Sequence, residues 1–105
     1  MPMQRKISIE TTSSENYYEG APRAFFDPDP LEAKTQDQIF WTNYDTEAHW
    51  PGRLLQDGPI DKTYFMPNQI APNGDSSSSF SPSTARTLTY ACSLHPDEQG
   101  TIIVS

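Results

Sequence analysis

The sequence predicts an all-β fold, a Greek-key antiparallel sandwich of about seven or eight short strands. Short stretches of alternating apolar and polar residues recur along the chain, and turn-forming residues separate them. Ten prolines and five glycines, with a hydrophobic content of only 34%, disfavour long amphipathic helices. Two Trp, five Tyr and five Phe are large enough to fill a small core. At 105 residues, we expect one domain spanning residues 1–105.

The first half of the chain contains three predicted strands, at residues 6–10, 24–26 and 38–42, and Leu31 and Ala33 share a parity just before the last of them. In the first of these, Ile7 and Ile9 fall on one face. The polar segment 11–30 is broken by one glycine and three prolines, so most of it is predicted to be a long loop. The strand at 38–42 leads into a connection that carries His49.

The second half begins with an irregular stretch that runs to residue 62, followed by a short extended piece at 63–66. A turn is predicted at 73–75, and the four serines that follow are interpreted as an edge strand or loop inside the domain. Strands are predicted at 87–92 and 101–104, the first with Leu88, Tyr90 and Cys92 on one face. Only eight residues, Ser93 to Gly100, join these two strands.

The charge and composition exclude several classes of function. A net charge of −7 with only seven Lys and Arg excludes nucleic-acid binding, which needs a concentrated basic surface. No apolar run approaches the roughly 20 residues needed to cross a bilayer. The basic start, residues 1–6, leads into no apolar core, so we expect either a cytosolic chain or a targeting segment already removed. The lone cysteine excludes an internal disulfide.

The chain has one Cys and two His, and these three residues are candidates for a metal site. Cys92 and His95 lie three residues apart, and His49 follows a predicted strand as they do. A thiolate with two imidazoles suits copper in an electron-transfer site. The residues alone leave open an inert buried cysteine with unrelated histidines, a zinc site, and a Cys-His catalytic pair. Zinc is disfavoured because only one short-spaced pair exists, and no partner is evident to orient a catalytic histidine.

Two separated segments resemble the copper-ligand motifs of the plastocyanin-like and amicyanin-like cupredoxins. One is Tyr-Ala-Cys-Ser-Leu-His followed by a glycine and an apolar strand, residues 90–104. The other is Asp-Gln-Ile-Phe-Trp-Thr-Asn with a histidine six residues later, residues 37–49. The resemblance covers about residues 31–104 and includes a middle segment, 70–80. It implies a cupredoxin fold and one copper ion per chain, as Cu⁺ or Cu²⁺, with His49, Cys92 and His95 as ligands. It also implies a one-electron carrier and not an enzyme.

The sequence departs from the family pattern at the axial ligand. Glu98 occupies the position at which the amicyanin-like proteins carry methionine, six residues after the cysteine. A carboxylate is a hard anionic donor that favours Cu(II), so the resemblance implies an atypical site if Glu98 binds. Gln99 is the rival, since glutamine is the axial ligand in the stellacyanin-like branch, and Met66 is a remote candidate. Trp50 stands where several members of the family carry an asparagine that ties the two ligand loops together. We expect that bond to be missing or replaced here. The alternative interpretation is that Trp50 shields the metal from water.

The resemblance also implies a redox partner protein, such as a cytochrome or a copper enzyme, that docks near His95. Leu94 and Pro96 supply apolar neighbours there, and three acids, Asp45, Glu47 and Asp97, are expected either to steer a basic partner or to be scattered surface acids. We expect a monomer outside the cytoplasm, periplasmic or otherwise extracytoplasmic. The alternative function is a copper-binding protein with a red or green site, ligated by carboxylate or amide, for copper handling or small-ligand binding.

Overall fold

A computed structural model describes residues 3–12 and 23–105, which form nine strands in two sheets. The strands are β1 (Gln4–Thr11), β2 (Ala24–Asp27), β3 (Leu31–Ala33), β4 (Gln38–Asn43), β5 (Pro51–Leu54), β6 (Ile60–Asp61), β7 (Asp75–Ser76), β8 (Arg86–Cys92) and β9 (Gln99–Val104). One sheet has the order β2-β1-β4-β7, and the other has the order β3-β9-β8-β5-β6. In the described part of the chain no helix is long and apolar enough to cross a membrane.

The two sheets confirm the predicted all-β sandwich, although both are mixed. β1 runs parallel to β4, and β3 runs parallel to β9, whereas the other named pairs are antiparallel. Parallel neighbours need long connections, which the segments between β1 and β4 and between β3 and β9 provide. The Greek-key order of the connections stays a prediction.

Most of the predicted strands are present within a residue or two of their expected ends. The β5–β6 hairpin was missed because Pro51 and Gly52 are poor strand formers. Gly52 is required there, since a Cβ atom would lie 2.7 Å from the carbonyl oxygen of Asp61 on the facing strand. The extended piece predicted at 63–66 is wrong, because turns and bends occupy this segment. Of the predicted loop at 11–30, residues 13–22 lie outside the described residues.

The turn and serine segment behave as predicted. Asn73 and Gly74 both have positive φ, 68° and 102°, a combination that asparagine and glycine tolerate best. The first serine completes edge strand β7 on β4, and Phe80 then forms an isolated bridge to Ile39. The segment therefore packs along one sheet rather than linking two bodies.

Aromatic side chains build the core between the sheets. Trp41 and Tyr90 are fully buried, with ring centroids 5.3 Å apart in an edge-to-face arrangement, and Phe65 packs 5.0 Å from Trp41. Edge-to-face pairs of this kind add about 0.5–1.5 kcal/mol beyond the burial of their area. The predicted face of β8 is confirmed, because Leu88, Tyr90 and Cys92 all point into this core. Cys92 thus ends a rigid strand.

Candidate metal centre

Three of the four residues that gather at one end of the sandwich come from the β8–β9 hairpin. Cys92 is the last residue of β8, His95 lies in the following loop, and Glu98 immediately precedes β9. His49 comes from the β4–β5 connection, and it lies nearby because Pro51 of β5 is the register partner of Cys92. The pairing of β5 with β8 therefore brings the two ligand segments together.

The donor atoms of His49, Cys92, His95 and Glu98 all lie within 4.8 Å of one another. The Cys92 sulfur is 3.5 Å from Nδ1 of each histidine. Oε1 of Glu98 is 2.9 Å from Nδ1 of His49 and 3.6 Å from Nδ1 of His95. Only His95 reaches the surface, with 27% of its side chain exposed. The arrangement is a compact buried cluster with one imidazole edge open to solvent.

Asn43, the last residue of β4, shapes the loop that carries His49. Its amide nitrogen donates to the carbonyl oxygens of Glu47, Ile70 and Ala71 at 2.8, 3.2 and 3.3 Å. Its side-chain oxygen accepts from the N–H of Asp45 at 3.0 Å. The Asn43 side chain thus provides hydrogen-bond partners for main-chain groups that have left the sheet, and it fixes the loop before His49.

Main-chain hydrogen bonds fold the loop between β8 and β9. The N–H of His95 donates to the carbonyl of Cys92 at 3.2 Å, and the N–H of Glu98 donates to the carbonyl of His95 at 2.9 Å. The N–H of Cys92 in turn donates to the carbonyl of Glu98 at 3.0 Å. Successive turns of this kind bring residues three apart onto one side of the loop.

The main chain of Trp50 ties the two ligand loops together. Its N–H donates to the Cys92 sulfur at 3.3 Å, and its carbonyl accepts from the N–H of Ser93 at 2.8 Å. The Trp50 ring packs on the core beneath the Lys62 ammonium, which lies 5.1 Å from the ring centroid. Backbone bonds of Trp50 therefore join the two loops at the position where the expected side-chain bond was either missing or replaced.

Charge within the cluster favours proton or metal binding. Burial by itself lowers the pKa of His49, but its contacts with the Cys92 sulfur and two carboxylates raise that pKa to about 10. Burial by itself raises the pKa of the Cys92 thiol, whereas contacts with His49 and the Trp50 N–H bring it below its usual value. The site therefore stabilises positive charge next to the Cys92 sulfur, and a metal cation can replace the proton of His49.

The donor set fits a copper ion, and the Glu98 carboxylate provides a structural test of that fit. Its Oε2 accepts from the N–H of Ala24 at 3.2 Å. Its Oε1 is buried and lies 2.9 Å from Nδ1 of His49, with no other hydrogen-bond partner within residues 3–12 and 23–105. A buried carboxylate oxygen in this position is costly unless a cation, either a protonated imidazole or a metal ion, lies beside it. Thiolate, two imidazoles and a carboxylate together suit copper.

The structure brings together His49, Cys92, His95 and Glu98 from the predicted set. Gln99 is exposed, and its amide donates to the carbonyl of Pro96 at 3.3 Å. Met66, the remote axial candidate, is buried in the hydrophobic core.

The expectation that Asp45 steers a partner from the surface is wrong. Its side chain has no exposed area, and its Oδ2 lies 2.8 Å from Nε2 of His49. Of the three acids expected on the surface, Glu47 and Asp97 are exposed. Asp45 lies four residues before His49, and this spacing is the sequence signal that could have indicated the contact between their side chains.

Two polar residues near the site were not singled out from sequence. Arg23 and Thr11 both contact the Asp45 carboxylate, with Arg23 Nε at 3.1 Å from Oδ2 and Thr11 Oγ1 at 2.7 Å from Oδ1. They lie on either side of the residues that the structure leaves undescribed. Nothing in their local sequence indicates the contact, because it depends on the pairing of β1 with β2 and β4.

The comparison with solved structures finds cupredoxins. The purple cupredoxin from Nitrosopumilus maritimus superposes with a TM-score of 0.75 and 25% identity, covering 95% of this chain and 98% of that one. Amicyanin from Paracoccus versutus superposes with a TM-score of 0.67 and 15% identity, covering 95% of this chain and 79% of that one. No family model matches the sequence, and no curated protein matches it.

The chain therefore has the cupredoxin fold, and its buried donor cluster lies at one end of that fold. A carboxylate, Glu98, is the fourth member of the cluster.

Proposed function

We propose that the chain holds one copper ion between His49, Cys92 and His95, with Glu98 as the fourth donor, and that it carries single electrons. The observation that carries the proposal is the convergence of four donor atoms within 4.8 Å on a cupredoxin fold. Copper, when bound, supplies a one-electron Cu(II)/Cu(I) couple. The protein supplies the fixed donors, the exclusion of water and the route to a partner.

The surrounding structure suits an electron carrier because the donors are held by the sheets. Cys92 is anchored in β8, His49 forms an isolated bridge with Ile70, and Glu98 is fixed to β2 through the N–H of Ala24. Donors that are held in place rearrange little when the charge at the centre changes, which favours rapid electron transfer. The half-buried His95 is the only member of the cluster with appreciable exposure.

The alternative function, copper handling or small-ligand binding, is not favoured. Glu98 is almost fully buried and is itself the fourth donor of the cluster. A copper-handling site also needs donors that can be released, whereas His49 is fully buried and both of its ring nitrogens have polar partners.

We further propose that a redox partner protein docks at His95. Leu94 is 45% exposed beside it, and Glu47 and Asp97 are exposed acids in the flanking loops. A small apolar contact with peripheral charge suits brief docking. The monomeric state, the single domain and an extracytoplasmic or periplasmic location complete the proposal, the last by analogy with the family resemblance.

Optical and electron-spin spectra of the Cu(II)-loaded protein test the function. We expect an intense thiolate-to-copper absorption band that disappears on reduction and returns on reoxidation. Cys92→Ser removes the band, because the sulfur is its origin. The matched control is Ser93→Ala, since the buried Ser93 hydroxyl lacks a hydrogen-bond partner within the described residues. Copper binding without the band in unaltered protein would contradict the proposal.

A further inference from the structure

The Nε2 atoms of both histidines, which lie on the far side of each ring from the donor cluster, contact carboxylates from a single loop. Nε2 of His49 lies 2.8 Å from Oδ2 of Asp45, and Nε2 of His95 lies 3.4 Å from Oε2 of Glu47. The first contact is entirely buried, whereas the Glu47 side chain is 51% exposed. Each imidazole therefore has a carboxylate on the side opposite the donor cluster.

One guanidinium links these two carboxylates. Nε of Arg23 lies 3.1 Å from Oδ2 of Asp45 and also 3.1 Å from Oε2 of Glu47. Nη2 of Arg23 adds contacts to Oδ1 of Asp45 at 3.3 Å and to the Thr46 hydroxyl at 2.6 Å. Arg23 thus places a permanent positive charge in contact with the two negative charges that face the histidines.

The Asp45 carboxylate determines which nitrogen of His49 carries a proton when a metal is bound. An ionised carboxylate accepts hydrogen bonds only, so Nε2 of His49 is the donor, and the lone pair remains on Nδ1. That nitrogen is the one that faces the Cys92 sulfur. A carboxylate behind a metal-binding imidazole also makes the imidazole a stronger donor.

We propose that Asp45 is a positioning residue that aims Nδ1 of His49 into the cluster and, together with Glu47, biases the site toward Cu(II), while Arg23 opposes that bias. The inference rests on the proposed copper function. Negative charge near the ion stabilises Cu(II) more than Cu(I), because Cu(II) carries the larger charge, and positive charge has the opposite effect. The three residues therefore adjust the balance between the two oxidation states.

A merely structural role and this electrostatic role predict different signs for the changes in reduction potential caused by loss of Arg23 and loss of Asp45. If the network only held the loop in place, loss of either Arg23 or Asp45 would loosen the same site and change the potential in the same direction. If the network acts through charge, Asp45→Asn and Glu47→Gln raise the reduction potential, whereas Arg23→Gln lowers it. In Asp45→Asn and Glu47→Gln the amide keeps an oxygen that can accept a hydrogen bond, so these two substitutions change charge with little change of shape, whereas Arg23→Gln also shortens the side chain.

The chain contains a matched control at the other end of β4. Nε of Arg5 lies 3.1 Å from Oδ2 of the buried Asp37, the same contact as that between Arg23 and Asp45. Asp37 precedes β4 and Asp45 follows it, so the six-residue strand places them roughly 20 Å apart. Arg5→Gln removes one positive charge, as Arg23→Gln does, without altering the surroundings of the histidines.

The experiment measures the reduction potentials and the Cu(II) and Cu(I) affinities of the unaltered protein and these variants. For Asp45→Asn we expect the ratio of Cu(II) to Cu(I) affinity to fall about tenfold. Glu47→Gln lowers it less, because solvent and salt screen an exposed charge. Arg23→Gln raises the ratio severalfold, and Arg5→Gln leaves it unchanged. If Asp45→Asn does not fold, the opposite shifts of Glu47→Gln and Arg23→Gln still decide the question.

A second readout needs no copper chemistry. In the diamagnetic Zn(II)-loaded protein, nuclear magnetic resonance should show a slowly exchanging proton on Nε2 of His49, and Asp45→Asn should make it exchange faster. A proton on Nδ1 instead, or potential shifts of one sign for Asp45→Asn and Arg23→Gln, would overturn the inference while leaving the copper function intact. Absence of the thiolate band in the unaltered protein identifies failure of the proposed function instead.

Discussion

Oε1 of Glu98 lies 2.9 Å from Nδ1 of His49. Both atoms belong to nearly or fully buried side chains, and both lie within 4.8 Å of the Cys92 sulfur. When Nε2 of His49 donates to Asp45, the lone pair of Nδ1, the Glu98 carboxylate and the Cys92 sulfur surround one small volume. Such an arrangement is stable only with a proton or a metal cation among the three atoms.

Glu98→Met should raise the reduction potential, because a thioether favours Cu(I) and the carboxylate favours Cu(II). We expect a rise of more than about 59 mV, which corresponds to a tenfold change in the affinity ratio for a one-electron couple. Electrochemistry on the loaded protein measures it. Gln99→Met is the control, since Gln99 is exposed and bonded to Pro96, and its potential should stay unchanged. The reverse pattern would assign the axial role to Gln99.

Copper binding at pH 7 should release protons. The pKa of His49 is raised to about 10, so the imidazole is protonated in the metal-free protein, and coordination requires its neutral form. Apparent Cu(II) affinity should therefore rise with pH up to about 10, by about tenfold per unit for each proton released. Calorimetry in buffers with different ionisation enthalpies counts these protons.

Glu98→Gln is the informative variant for this measurement, because it removes one of the charges that raise the pKa of His49. Fewer protons should then be released at pH 7. Binding that is independent of pH between 6 and 8 in the unaltered protein would show that His49 is already neutral.

Asp37→Asn should destabilise the metal-free protein at neutral pH but not in strong acid. N–H groups of Lys34 and Met3, with smaller help from Arg5, lower the pKa of Asp37 from 3.8 to about 2. The folded state therefore favours the ionised carboxylate, and this stabilisation is present above 3.8 and is lost as the pH falls toward 2. Urea unfolding at several pH values measures the difference between variant and parent.

The exposed Glu32 provides the comparison for Asp37, and Glu32→Gln should change the stability little at any pH. A difference between Asp37→Asn and its parent that stays constant from neutral pH to pH 2 would mean that the contact acts through packing rather than charge.

Trp50→Ala should leave the thiolate-to-copper band nearly unchanged while lowering the stability. The bond to the Cys92 sulfur comes from the main-chain N–H, which alanine retains. Loss of the ring removes its packing on the core and its contact with Lys62, at a cost of about 2 kcal/mol. Absorption spectra and urea unfolding separate the two effects, and Trp50→Phe should recover much of the stability. A large spectral shift in Trp50→Ala would instead show that the indole shapes the site.

The residues that alternate along strands made much of the sandwich predictable. Ile7 and Ile9, and then Leu88 and Tyr90, recur with a period of two, and each pair proves to be buried. The β5–β6 hairpin was not predictable in this way, because Gly52 is selected by close backbone approach rather than by strand preference. The parallel pairing of β1 with β4 was also hidden, since local sequence carries no record of which distant strand is adjacent.

The donor cluster was accessible from sequence because its residue types are rare in this chain and occur in family-like segments. Glu98 followed from its place in the short loop after Cys92. The role of Asp45 did not follow, because an aspartate in a polar loop usually faces solvent, whereas here Asn43 binds its N–H and Thr11 contacts its carboxylate. Contacts made by long-range pairing, such as that of Arg23, need the three-dimensional structure.

The hairpin that joins β8 to β9 has an evolutionary consequence. Three of the four cluster residues lie within positions 92–98, and the register pair Ala91 and Gln99 closes the loop where the sheet resumes. Insertions, deletions or exchanges inside this loop leave the strand pairing on either side intact. The chemical character of the donor cluster can thus diverge among descendants through changes in one short loop, while the sandwich that carries it is inherited unchanged.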